Sequence, residues 1–176
     1  LDVHSRLRKK FGNLILILAP RRLERCAHVA RIIMSKGIGF VRRSDQWDKR
    51  GNGFSVILLD TMGELSEVYS ICDIAFVGKS FIPPGGGHNL IEPIAEGKPV
   101  LFGSFVENNK HNADELIKNG LGIQVNNADE IEISAKIWLS SKDERAKLEG
   151  RAKGFILYHQ GASQRMANLI ESQLQN

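Results

Sequence analysis

Ile74-Ala75-Phe76-Val77-Gly78-Lys79-Ser80-Phe81-Ile82-Pro83-Pro84-Gly85-Gly86-Gly87-His88-Asn89-Leu90-Ile91-Glu92-Pro93-Ile94-Ala95 is the stretch that decides the fold. A short apolar run passes through a glycine-rich polar loop into Ile91, Ile94 and Ala95, which share one helical face. The run is apolar at consecutive positions rather than alternate ones, as in a parallel strand buried on both faces. Five more runs of that kind lie at residues 14–19, 38–41, 55–59, 100–102 and 122–125. Helical patterns separate them. Leu23, Cys26, Ala27, Ala30, Ile33 and Met34 form one stripe, ended by Gly37. Leu65, Val68, Tyr69 and Cys72 repeat at i, i+3, i+4 and i+7, and residues 111–119 carry Ala113, Leu116 and Ile117. Beyond Ala128 the pattern is helical, with a break expected near Gly161. The order predicts an α/β fold: a doubly wound, mainly parallel six-stranded sheet with a helical carboxyl-terminal tail, one domain over residues 1–176. Its ligand site belongs beyond the carboxyl ends of the strands.

Composition sets the outer bounds. The chain has 176 residues, 42% hydrophobic and 25% charged, with 17 glycines and 5 prolines, which excludes a largely disordered, collagen-like or coiled-coil chain. No apolar run approaches membrane-spanning length. The chain begins at Leu1 with no signal pattern and is expected to be a piece of something longer. Two cysteines, Cys26 and Cys72, are too few for a disulfide framework and favour a reducing compartment. The net charge of +4 hides an asymmetry, for residues 1–50 hold thirteen Lys or Arg against four Asp or Glu. Such a basic third suits phosphate, nucleic acid or an anionic membrane, or is a solvated face. There is no aromatic platform among those charges and no helix-turn-helix signature, so nucleic acid is not the expected partner. The polar stretch 42–54 reads as a long loop.

Four strand ends carry polar groups. After the first comes Pro20-Arg21-Arg22-Leu23-Glu24-Arg25, which sets guanidinium groups at the start of a helix and suggests a phosphate or carboxylate clamp; exposed side chains countered by Glu24 are the plainer reading. After the third comes Asp60-Thr61-Met62-Gly63-Glu64-Leu65, where Gly63 permits close approach of a ligand and Asp60 or Thr61 can cap the helix. After the fourth, the glycines run into a helix expected to start near His88, so that backbone N–H groups face an oxyanion. His88 and Asn89 then serve as donors in the first turn, and Glu92, four residues beyond His88, lies on the same face, ready to accept from ribose hydroxyls. The loop is neither a Walker A sequence nor a G-x-G-x-x-G turn. After the fifth strand, Glu107 and Asn108 suit either caps or the crevice lining.

These strings resemble the 3-deoxy-D-manno-octulosonic acid (Kdo) transferases of lipopolysaccharide synthesis. The residues that carry the likeness are Asp60-Thr61-Met62-Gly63-Glu64-Leu65, Tyr69, Asp73-Ile74-Ala75-Phe76-Val77-Gly78, Gly86-Gly87-His88-Asn89, Glu92-Pro93 and Gly97-Lys98-Pro99-Val100. The neighbourhood of Arg22 and Arg25, Arg42-Arg43-Ser44 and Gly161-Ala162-Ser163-Gln164-Arg165 add to it. Lys79, Ser104 and Asn109 depart from the family's pattern, which has Gly, Pro and an aromatic there. The resemblance implies the carboxyl-terminal, Rossmann-like half of a GT-B glycosyltransferase, which binds CMP-Kdo. It further implies transfer to a lipid A precursor at the cytoplasmic face of the bacterial inner membrane, with inversion and with neither metal nor cofactor. On this likeness Arg21, Arg22, Met62, Gly63, Glu64, Gly86, Gly87, His88, Asn89, Glu92 and Asn108 are expected to bind the donor. The catalytic base, the acceptor surface and the membrane attachment are expected in an amino-terminal half absent from this chain. Another GT-B donor domain with a different nucleotide sugar, or a non-catalytic nucleotide-binding module, stays open as an alternative.

Overall fold

A computed structural model describes residues 1–45 and 53–160. The chain divides into two compact units, Leu1–Val68 and Tyr69–Asn176. The first contains α1 (Asp2–Arg8), β1 (Leu16–Leu18), a 3-10 turn (Leu23–Arg25), α2 (Cys26–Ser35), β2 (Phe40–Arg42) and β3 (Val56–Leu58), and α3 (Leu65–Ile71) starts at its end. The second holds β4 (Ala75–Val77), α4 (Ile91–Ala95), β5 (Val100–Phe102), a 3-10 turn (Glu107–Asn109), α5 (Lys110–Lys118), β6 (Gly122–Gln124), α6 (Ala128–Ser140) and α7 (Lys142–His159).

All six predicted strands form, and every pairing is parallel. They do not make the single six-stranded sheet expected from the sequence. They pair as two three-stranded sheets, ordered β1-β3-β2 and β4-β5-β6. An apolar run specifies burial on both faces of a strand but says nothing of its lateral neighbour, and ladders three residues long close within each unit. The middle strands are the most deeply enclosed: Val56 and Leu58 of β3 and all three residues of β5 are buried.

In the first unit the core forms where α2 lies on the sheet, with Cys26, Ala30 and Leu58 buried together against Leu18, Val29 and Phe40. The buried line on α2 is Cys26, Ala30 and Ile33, narrower than the stripe predicted. Leu23 is 39% exposed because it belongs to the 3-10 turn before the helix, and Met34 is 57% exposed on the far side. Burial first, and then the Asp60 carboxylate, raise the Cys26 thiol above its ordinary 9.0, and burial pushes Cys72 up to about 11. Both are free thiols.

In the second unit α7 packs on α4 and α6, with Leu148 and Ala152 buried one turn apart. The helical tail is interrupted at Ser141, whose hydroxyl accepts the Glu144 N–H at 3.2 Å and caps α7. This break is written in Ser141-x-x-Glu144, a capping signature, and the break expected near Gly161 lies outside the described residues. So do most of the loop 42–54 and the segment 161–165. Among the described residues no helix is long and apolar enough to cross a membrane. Because Leu148 is fully enclosed, Leu148→Ala is expected to cost about 2–5 kcal/mol of stability. Urea unfolding followed by circular dichroism measures it.

Candidate functional site

The loop from β4 to α4 is held by a buried serine. Ser80 Oγ donates to the Val77 carbonyl at 2.8 Å and accepts the Gly103 N–H at 2.8 Å, and the Ser80 carbonyl accepts the Phe105 N–H at 2.9 Å. The end of β4 is thereby tied to the chain leaving β5. Gly103 has to be glycine for this, since a Cβ there would stand 2.1 Å from the Ser80 carbonyl oxygen.

The segment after β5 then wraps the glycines. Gly86 donates its N–H to Glu107 Oε2 at 3.0 Å, and Asn109 Nδ2 donates to the carbonyls of Gly86 and Gly87 at 3.3 and 3.4 Å. Asn108 lies directly over Gly86, where a Cβ would fall 2.5 Å from Asn108 Nδ2, and the backbone of Gly86 sits at φ 76°. Gly87 gives its N–H to the Lys79 carbonyl at 3.0 Å. These contacts correct the expectation that the glycine N–H groups of Gly86 and Gly87 face an oxyanion. Internal acceptors already occupy them, and one is a carboxylate. Of the two readings for Glu107 and Asn108, neither is a cap: both close on the glycine loop.

The helix also begins later than predicted. α4 starts at Ile91, so His88 and Asn89 precede it, and Asn89 Oδ1 accepts the Ile91 N–H at 2.9 Å. Glu92 is therefore not stacked one helical turn from His88; its partner is Asn89, whose Nδ2 donates to Glu92 Oε1 at 3.1 Å. His88 is half-buried and Glu92 exposed. Tyr69 adjoins this carboxylate: burial first, and then the negative charge of Glu92, push its phenol up to about 12.

In the first unit the remaining predicted residues sit after β1 and β3. Arg22 is extended, at φ −113° and ψ 118°, and Arg21 and Arg22 precede a 3-10 turn rather than entering α2, which begins at Cys26. Of the arginines in the Pro20–Arg25 string, Arg25 alone stands at the start of α2, as its N-cap. Arg21 and Arg22 are exposed. Met62, 72% exposed, and Gly63, at φ 85° with no described atom within 4 Å of where a Cβ would be, form an open turn. Glu64 is engaged by a residue that belongs to the family likeness but not to the expected donor contacts: Arg43 Nε donates to Glu64 Oε2 at 2.7 Å. The nearby Thr61 hydroxyl, which makes no well-formed hydrogen bond, and then the Arg43 guanidinium hold the Glu64 carboxyl below its ordinary 4.5.

Asp60 does not cap α3. It accepts from the Ser44 N–H at 2.9 Å and the Ser44 hydroxyl at 2.7 Å, with Arg42 Nη1 at 3.6 Å, joining the ends of β2 and β3. Burial alone would raise its carboxyl, but the Ser44 bonds and the Arg42 charge outweigh that and leave it below 3.8. The structure thus groups Met62, Gly63 and Glu64 in one turn, Gly86 with Asn108, and Asn89 with Glu92. Among the described residues no cluster of three or more His, Cys, Asp or Glu is placed to hold a metal ion.

Residues 3–155 match the family described as Glycosyl transferases group 1. The chain belongs to that family. This glycosyl transferase chain is 36% identical over 176 residues to a 3-deoxy-D-manno-octulosonic acid transferase of Haemophilus influenzae, covering 99% of itself and 41% of that relative. It is 39% identical over 131 residues to a bifunctional glycosyltransferase/methyltransferase of Fusobacterium nucleatum, covering 74% of itself and 20% of that protein. The chain therefore spans less than half the length of these relatives. Among solved structures it is similar to the C-terminal CMP-Kdo binding domain of WaaA from Acinetobacter baumannii, with a TM-score of 0.77 and 28% identity over 89% of this chain and 80% of that one.

The latch makes a direct prediction. Ser80→Ala leaves the buried Gly103 N–H without its acceptor, and the expected loss is about 1–3 kcal/mol of unfolding free energy, read by denaturant titration.

Proposed function

We propose that this chain is the donor-binding half of a GT-B Kdo transferase, and that it holds CMP-Kdo. The observation that carries the reading is the likeness, along nine-tenths of the chain, to a domain described as CMP-Kdo binding. The Gly86-Gly87-His88-Asn89 and Glu92-Pro93 strings at the end of β4 support it.

The proposed reaction is one displacement at the anomeric carbon of Kdo. A hydroxyl of a lipid A precursor attacks, the bond from that carbon to the phosphate oxygen breaks, and its electron pair leaves with CMP, so configuration inverts. The acceptor proton passes to a carboxylate of the acceptor-binding half, which these 176 residues do not include. The donor half acts by holding the nucleoside and by stabilising charge that grows on the departing phosphate. Arg21 and Arg22 meet the phosphate or the Kdo carboxylate, and Glu92, oriented by Asn89, accepts from the ribose hydroxyls. The open turn Met62-Gly63-Glu64 lies against the nucleotide, and His88 donates a hydrogen bond rather than a proton, because a phosphate leaving group needs little protonation. Side-chain cations meet the charge, so the scheme calls for no metal. Transfer takes place at the cytoplasmic face of the bacterial inner membrane, with the lipid and its membrane met by the acceptor half.

Two measurements test this. In thermal-shift and calorimetric titrations CMP should bind in preference to UDP and GDP, and Glu92→Gln should weaken CMP roughly tenfold to a hundredfold, about 1–3 kcal/mol for a carboxylate accepting two hydroxyls. Equal stabilisation by UDP or GDP points to a different nucleotide sugar, and an unchanged CMP affinity in the variant removes Glu92 from the site. The 176-residue chain is also expected to show no Kdo transfer to lipid A precursor in an assay that an intact Kdo transferase passes. Turnover by this chain alone would place the base within it.

A further inference from the structure

Part of the backbone of the β4–α4 loop is already committed. Gly86 has given its N–H to the Glu107 carboxylate and Gly87 has given its own to the Lys79 carbonyl. α4 is only five residues long, and its Ile91 N–H is taken by Asn89. Two carboxylates, Glu92 and Glu107, stand on the loop or against it. A nucleotide sugar with a phosphodiester and a carboxylate would meet repulsion here unless side chains supply positive charge.

Between Gly78 and Pro93 the sequence offers one Lys or Arg, and it is Lys79. Its side chain is exposed and has no hydrogen-bond or ion-pair partner among the described residues. Its backbone is in the left-handed region at φ 59°, the one non-glycine residue with positive φ among the described residues. A residue with a Cβ is disfavoured there, and glycine would relieve the strain. The same turn sets the Lys79 carbonyl on the Gly87 N–H, so the strained residue is the neck of the glycine loop. A strained backbone that carries an unpaired charge at a strand's carboxyl end is the combination expected where strain is kept for a ligand.

We propose that Lys79 is a specificity-determining residue of the donor site, its ammonium meeting an anionic group of the nucleotide sugar, phosphate or carboxylate. The inference rests on the CMP-Kdo reading above. It adds a side-chain charge to a loop whose Gly86 and Gly87 N–H groups are already committed.

Calorimetry of the full 176-residue chain with cytidine, CMP and CMP-Kdo tests it. Lys79→Met removes the charge and keeps the Cβ; Lys79→Gly removes the charge and relaxes the backbone. Both should weaken CMP-Kdo about tenfold, the scale of one charge-assisted hydrogen bond, and leave cytidine unchanged. The loss should shrink as salt is raised, and Lys79→Arg should retain most of the affinity. A loss shared by CMP assigns the contact to phosphate, and a loss confined to CMP-Kdo assigns it to the sugar carboxylate. Wild-type CMP-Kdo affinity in Lys79→Met, a loss of cytidine as large as that of CMP-Kdo, or an equal loss in Lys110→Met, which removes an exposed ammonium from the start of α5, overturns the assignment. If the unaltered chain binds none of the three ligands, the donor reading fails and this inference falls with it; failure of the Lys79 variants alone leaves that reading intact.

Discussion

A single buried hydroxyl, that of Ser80, fixes the geometry on which the glycine loop depends. It donates to the strand it has just left and accepts from Gly103 at the end of the neighbouring strand. In water each such bond is worth only about 1 kcal/mol net, but an enclosed N–H without an acceptor pays its full desolvation cost, so the two bonds and the Phe105 N–H on the Ser80 carbonyl stand or fall together. Once they form, the chain after β5 is aimed at the glycines. Glu107, Asn108 and Asn109 then reach Gly86 and Gly87 from one short 3-10 turn.

That closure has a chemical consequence. A glycine-rich loop before a helix is ordinarily an anion cradle because its N–H groups are unspent. Here the wrapping segment brings its own carboxylate to Gly86, and the N–H groups of Gly86 and Gly87 hold the loop together instead. The first unit shows the opposite design. The turn at Met62 and Gly63 has open space before it, while Glu64 and Asp60 behind it are bound to Arg43, Ser44 and Arg42. Hydrogen bonds and ion pairs support the ends of β3 and β4 alike, and what differs is how much of the front is already filled.

The sequence carried the strands well, because an uninterrupted apolar run bounded by polar loops has few other structures open to it. Residues 55–59 and 100–102 were legible for that reason, and they became the centres of the two sheets. The division into two sheets was not legible, since lateral pairing is a long-range choice. Helix starts were shifted for a local reason. Leu23-Glu24-Arg25 and the segment before Ile91 are compatible with a first turn, but a 3-10 turn and an Asn89 side-chain acceptor took those N–H groups instead. In the candidate site, the residue types at the strand ends could be read from the chain, whereas Glu107 on Gly86 and Arg43 on Glu64 join residues 21 apart in sequence, beyond any periodicity. One signal was available for the neck of the loop: a lysine where the resembled pattern has glycine marks a backbone that a side chain enters only at a cost.

The basic excess of residues 1–50 takes on a narrower meaning in this light. Several of its members are committed within the first unit: Lys36 to Asp2, Arg42 to Asp60, Arg43 to Glu64, and Arg8 to the Leu14 carbonyl at 2.7 Å. Exposed pairs of this sort add about 0–1 kcal/mol each to stability, yet they fix where the charge lies. At physiological salt a charge is felt over about 8 Å, so a diffuse surplus attracts a polyanion, whereas a small anionic ligand needs one or two cations placed within contact. Besides the committed Arg42 and Arg43 at the end of β2, the cations this chain places at strand ends are Arg21 and Arg22 after β1 and Lys79 after β4, all exposed. That distribution suits a ligand the size of a nucleotide sugar better than a nucleic-acid strand.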